Sequence, residues 1–333
     1  MNKISRFQFG SLMLINDVFV LFCLTGGISV MTAAGFGIGS LLQLLIVLPL
    51  ASIYRKGKTL KDCGKFAELI ALLGTAVWGG LLFSMLWNAG ELVFVPFEGM
   101  GKTGRLLITG IIAVVCVYIS SSGIKALARS AVIAAALGLV CLAIVVVCAV
   151  IRSDIGNLEA AEDTSGLFRE VVKGFALSGG LSGTAVMLGF VKDNIRAAAV
   201  DYFVCKAVIS SIVITTGVLV CGGIMEITDF PIVSAAQLSQ PFPVQRIDSL
   251  FLIIFTVFAV YSIAVQASAA EYLIGELLPV IKKYRCSIML AIMAGLGAVF
   301  GGKLHYGLPL AVVFAVSAAI IPLLYLIKKK VRA

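Results

Sequence analysis

Asn16 and Asp17 stand side by side in the middle of an apolar run, Leu12 to Leu24. A carboxylate at such a depth costs roughly 2.5 to 3.5 kcal/mol to insert into a bilayer, so it must face a cavity or a partner. Its charge suits a substrate ammonium or a coupling cation. A later apolar run carries the second unusual cluster, Ser178, Gly179, Gly180, Leu181, Ser182 and Gly183. Three glycines and two serines in succession remove side-chain cover and weaken a helix, leaving peptide groups free to bind something polar. The competing reading is close helix packing through small residues. If both runs are interrupted at these clusters, the helix N-termini beyond the breaks offer N–H groups to a carboxylate while Asp17 meets an ammonium. Together these ends suit a zwitterion such as an amino acid.

Other polar residues point to structure. Lys206 lies near the middle of its run, and its five-residue offset from Asp201 makes a poor intrahelical pair, so an interhelical counter-ion is expected. Arg129 and Glu271 lie close enough to an interface to snorkel. Gly35, Phe36, Gly37, Ile38 and Gly39 spell a dinucleotide-like pattern, but they open an apolar span and follow no strand, which removes the phosphate reading. Trp78, Trp87 and Asn88 read as packing residues on one run. The eight cysteines form no CxxC pair and fall in apolar runs or basic gaps, where they serve as small packing residues. With His305 the single histidine, no metal or cofactor site is expected, and no nucleophile, base and acid set points to an enzyme.

The elements that must position these residues are membrane spans. Hydrophobic residues make up 60% of the 333, charged residues 13%, and the mean hydropathy is +1.10. That leaves too little polar surface for a water-soluble fold of this size. Ten runs are long enough to cross a bilayer as helices: 7–30, 32–54, 66–94, 106–123, 124–151, 171–191, 197–224, 250–278, 287–302 and 306–327. The first run exceeds the core of a secretory signal and is read as an uncleaved span. The stretches 152–170 and 225–246 are read as short irregular or amphipathic covers over the outer face.

Basic residues crowd into every second gap. Arg55, Lys56, Lys58, Lys61 and Lys65 share one, Lys192 and Arg196 another, Lys282, Lys283 and Arg285 a third, and Lys328, Lys329, Lys330 and Arg332 the tail. The alternate gaps hold only Lys102, Arg105, Arg152, Arg169, Lys173, Arg246 and Lys303. By the positive-inside rule both termini are cytoplasmic. The formal charge of +9 therefore reflects topology and contact with the anionic lipid bilayer, and no nucleic acid is implicated.

The expected fold class is an all-α polytopic membrane protein in a single transmembrane domain, 1–333. Ten spans divide into two sets of five, about 7–151 and 171–328. Because five is odd, the second set enters the membrane in the opposite sense, the geometry of inverted repeats whose leading helices are interrupted near the midplane. Spans one and six are the two that carry the unusual clusters.

Several short motifs resemble the B-subunit family of spore germinant receptors, GerAB-type. They are Ile4, Ser5 and Gln8 before span one, Arg246, Ile247 and Asp248 leading into a long span eight that contains Tyr261, and Ile320, Ile321, Pro322, Leu323, Leu324 and Tyr325 before a Lys-rich tail. That family belongs to the amino acid-polyamine-organocation superfamily, with a LeuT-like core. Where such proteins carry small Gly or Ser residues in span one, this chain has Asn16 and Asp17. The resemblance implies a sensor that binds a small nutrient at Asn16, Asp17, Ser178, Gly179, Gly180, Ser182 and Gly183 and signals germination. It also implies an A-type membrane subunit and a C-type lipoprotein as partners in the spore inner membrane. A secondary amino acid permease coupled to protons or sodium is the second reading, and a scaffold without a ligand the third.

Overall fold

The computed structural model of the protein describes residues 3–25, 27–94, 101–151, 153–158, 166–177, 180–192, 194–222, 225, 228–238, 247–278, 285–300, 313, 316 and 318–327. Its helices are α1 (Arg6–Phe22), α2 (Val30–Arg55), α3 (Leu60–Cys63), α4 (Lys65–Val93), α5 (Gly101–Ser121), α6 (Ile124–Ile151), α7 (Leu167–Leu177), α8 (Leu181–Leu188), α9 (Ile195–Cys221), α10 (Pro231–Leu238), α11 (Ile247–Leu277) and α12 (Arg285–Phe300). A last apolar helix, α13, spans Ala318–Ile327. Each of the ten expected spans therefore contains a helix. Among the described residues, five helices are long and apolar enough to cross a bilayer, and α7 with α8, bent by 49°, makes a sixth if the pair is one span. Rows of exposed apolar side chains, such as Ile133, Leu137, Val140, Ile144 and Val147 on α6, form the lipid-facing surface of an integral membrane protein.

Local chemistry sets several ends. Ser5 accepts from the Gln8 backbone N–H while the Gln8 side chain accepts from the Ser5 backbone N–H, a reciprocal cap that starts α1. The resemblance motif at Ser5 and Gln8 is thus a helix start. Gly64 and Gly123, at φ 107° and 87°, adopt the left-handed backbone that lets the chain turn sharply into α4 and α6. Among the described residues, the outer covers hold a 3-10 turn, Ile155–Leu158, and α10.

Contacts fix the sense of each helix. Gln43 meets Lys206 while Ala33 meets Ser211, so α2 and α9 are antiparallel. Arg6 meets Asp201 and Asp17 meets Lys206, so α1 runs parallel to α9. Gly35 lies on Glu170 and Gly39 on Phe175, so α7 runs parallel to α2. It follows that α1 and α7 run in opposite directions, as an inverted second set requires.

The other pairings repeat under the same exchange of spans. α1 packs antiparallel on α11 through Asn16 with Gln266 and Phe22 with Phe251. Its counterpart, α8 on α4, is antiparallel through Gly180 with Trp78 and Ser182 with Gly74. α4 runs parallel to α12 through Gly79 with Met293 and Phe83 with Gly297. Its counterpart, α11 with α5, is parallel through Cys116 with Val260 and Ser120 with Ala264. The architecture is a LeuT-like 5+5 inverted repeat.

The basic gaps gather at one end. Ile4 is bridged to Val191, Tyr54 donates to the Ala185 carbonyl at 3.1 Å, Lys61 pairs with Glu276 at 2.6 Å, and Phe190 packs edge-on to Tyr272. The opposite end is closed by other contacts, among them Asp154 N–H to the Leu219 carbonyl at 3.0 Å and Lys173 to the Gly27 carbonyl at 3.1 Å.

Candidate functional site

Span one departs from the expected break. α1 is helical from Arg6 through Asn16 and Asp17 to Phe22, and non-helical backbone follows only at its far end, before Val30. The reason lies in side chains from elsewhere in the chain. Tyr202 donates to Asp17 Oδ2 at 2.6 Å, and Lys206 Nζ lies 3.4 Å from Asp17 Oδ1. A carboxylate held by one hydrogen bond at Oδ2 and an ion pair at Oδ1 does not require its own backbone to open. The cation expected near Asp17 is therefore an ammonium of the protein itself, and Lys206 has the interhelical partner that its position demanded.

The pair is part of a larger network. Lys206 also donates to Gln43 Oε1 at 2.8 Å, and Gln43 Nε2 donates to the Phe175 carbonyl at 2.7 Å, in the last turn of α7. Hydrogen bonds thus connect α1, α2, α9 and the end of α7. Asp17 is 3% exposed and Lys206 1%, so the charges are sealed from water and stabilise each other in a medium of low effective dielectric. Asp201 does not join them. It is exposed and pairs with Arg6 at 3.6 Å.

Span six is interrupted where the glycine and serine cluster predicts. α7 ends at Leu177, α8 begins at Leu181, and Gly180 between them is extended at φ −70°, ψ 99°. Ser178 and Gly179 lie outside the described residues, as do Arg246 and His305. The first intrahelical bond of α8 is Thr184 N–H to the Gly180 carbonyl at 3.0 Å. Gly180 offers no capping side chain, so the N–H groups of Leu181, Ser182 and Gly183 have no acceptor within α8. Small size also matters here: a Cβ on Gly180 would overlap the Trp78 ring, and one on Gly183 would overlap the Gln266 amide. Close packing and interruption therefore coexist in one segment.

Asn16 and Gln266 face each other beside α8. Gln266 Nε2 approaches Asn16 Oδ1 at 3.4 Å, which leaves Gln266 Oε1 and Asn16 Nδ2 buried without a hydrogen-bond partner of good geometry in the protein. Unpaired buried amide atoms cost about 1 to 3 kcal/mol each, a penalty that a polar guest would relieve. Gln43, Tyr202 and Gln266 were not singled out from sequence. The two glutamines carried a usable signal, because amides inside apolar runs are nearly as conspicuous as Asp17.

Gly35 and Gly39 explain the dinucleotide-like pattern. A Cβ on either would lie 2.5 Å or 2.6 Å from the α7 backbone, so these glycines are a packing seam between spans two and six. Glu271 is half-buried and lines, with Ser268 and Arg285, a cavity of about 430 Å³ at the basic end, while Arg129 is exposed. Among the described residues no cluster of His, Cys, Asp or Glu could hold a metal ion.

No protein-family model and no curated protein matches the chain. Among solved structures it is similar to MhsT in complex with L-phenylalanine, at 16% identity and a TM-score of 0.49, with 99% of each chain covered. It is also similar to Mhp1 in an inward-facing conformation, at 14% identity and a TM-score of 0.49, covering 96% of this chain and 77% of that one. Fold and site together define an integral membrane protein of inverted five-span sets, with a buried ion pair on one leading span and a broken helix in the other.

Proposed function

We propose that this protein binds a small zwitterionic, amino acid-like solute at the break of span six. The observation that carries the reading is the apposition of the first turn of α8, whose N–H groups find no capping acceptor among the described residues, to two buried amides with unpartnered atoms, Asn16 and Gln266. The helix end and its N–H groups suit a carboxylate. The amide oxygens of Gln266 and Asn16 suit an ammonium, a role that Asp17 is less free to take because Tyr202 and Lys206 already hold its carboxylate. Ser182 and Gly183 belong to this site, with Ser178 and Gly179 beside it in sequence.

The biological role we propose is that of the B-type membrane subunit of a spore germinant receptor. It sits in the spore inner membrane with both termini cytoplasmic, beside an A-type membrane subunit and a C-type lipoprotein. Support comes from the sequence motifs around Ile4, Arg246 and Ile320 and from the internal ammonium at Asp17, which supplies the charge that a permease would draw from a transported cation.

The test uses the purified protein in lipid nanodiscs, titrated with a panel of L-amino acids while its thermal midpoint is followed. At least one amino acid is expected to raise the midpoint of the wild type and to have no effect on Gly183→Val. A panel without effect, or a shift that survives in the variant, defeats the binding site. Uptake into proteoliposomes separates the two roles. Transport above background would favour the permease, whereas background uptake together with loss of the germination response in Gly183→Val spores is the receptor's signature.

A further inference from the structure

Among the described residues, three oxygen atoms lie close to Lys206 Nζ: Gln43 Oε1 at 2.8 Å, Asp17 Oδ1 at 3.4 Å and Tyr202 Oη at 3.5 Å. Their lone pairs are aimed by other bonds. Gln43 must turn its oxygen toward Lys206 because its Nε2 donates to the Phe175 carbonyl. Tyr202 spends its proton on Asp17 Oδ2, so what its oxygen can offer Lys206 is a lone pair. The rings of Tyr202 and Phe203 lie 5.4 Å and 5.3 Å from the ammonium, within the range at which aromatic faces attract a cation. A buried carboxylate, two neutral oxygens and two rings form a receptacle for one positive charge. It joins helices α1, α2 and α9 and touches α7 through Gln43.

We infer that this cage is a monovalent-cation site whose occupant is the protein's own Lys206 ammonium. The tethered charge takes the place of an exchangeable sodium, potassium or ammonium ion, so the packing of spans one, two and seven is independent of salt identity. Removal of the side chain uncovers a site for a small free cation. The inference stands whether or not a solute binds at the break of span six.

The experiment follows thermal midpoints of the purified protein without amino acid, in choline chloride, whose quaternary cation is too large for the cage, and in sodium, potassium and methylammonium chloride at equal ionic strength. Wild type is expected to show the same midpoint in all four. Lys206→Ala is expected to fall sharply in choline and to recover more than half of the loss in methylammonium, with a smaller recovery in sodium. The double variant Asp17→Asn with Lys206→Met, which removes both charges, is expected to be more stable than Lys206→Ala in choline and to ignore the choice of cation. A wild-type midpoint that rises in sodium or potassium overturns the inference. So does a Lys206→Ala protein that no small cation rescues, including one that cannot be isolated even in methylammonium while the double variant can.

Discussion

The two leading spans are related by inversion yet meet the same demand in opposite ways. Span one keeps its helix whole and places polarity in side chains, Asn16 and Asp17, whose partners arrive from α9 and α11. Span six gives up its helix at Gly180 and places polarity in the backbone. A side chain can be satisfied by a distant residue and then serves to bind helices together. Peptide groups exposed by a break must find a guest or a neighbour on the spot. The duplicated architecture thus has one leading span held by side-chain cohesion and the other opened at its backbone, where the proposed solute would bind.

The comparison breaks most visibly at Asp17. Asp17→Ala leaves the Lys206 ammonium buried without its carboxylate, and a loss of about 3 to 5 kcal/mol is expected, read as a fall in the denaturation midpoint. Next comes the seam that holds span six against span two. Gly39→Val drives a side chain into the Phe175 backbone, which cannot step aside, and should cost about 1 to 3 kcal/mol in the same measurement. Gln266→Leu sharpens the contrast. It deletes a buried acceptor that has no partner together with the amide donor that faces Asn16 Oδ1, so the midpoint should move little, while the affinity for a bound amino acid falls about tenfold, equivalent to about 1.4 kcal/mol, in a binding titration. The smallest effect belongs to the exposed pair at the basic end. Glu276 holds the Lys61 ammonium protonated above its usual range, so the pair persists at neutral pH and loosens only as alkali passes that raised value. Because water screens it, Lys61→Met should leave the midpoint unchanged within error.

Much of the architecture was legible in the sequence for reasons these helices make concrete. A bilayer forces every span into an apolar run, and five is odd, so hydropathy and counting together give ten spans and their inversion. The break in span six was legible because Gly180 and Gly183 leave a local mark. The break expected at Asn16 and Asp17 failed because a buried carboxylate has two physical solutions. The one used here depends on Tyr202 and Lys206, 185 and 189 positions away, a separation that periodicity cannot register. Likewise Lys206 was expected to need an interhelical counter-ion, but nothing local marked it as Asp17. Gly35 and Gly39 look the same in sequence whether they cradle a phosphate or a helix, and only the nearness of Glu170 and Phe175 decides it.

The bridge between Ile4 and Val191 has a mechanical consequence. Ile4 N–H donates to the Phe190 carbonyl and Lys192 N–H donates to the Ile4 carbonyl, each at 2.9 Å. Two main-chain bonds latch the residues ahead of α1 to those behind α8, the far end of the broken span. A tilt of α8 that widened the basic end would have to drag the N-terminal segment along or exchange both bonds for water. The latch works as a door catch, and it gives whatever happens at the broken helix a direct pull on the chain's first residues.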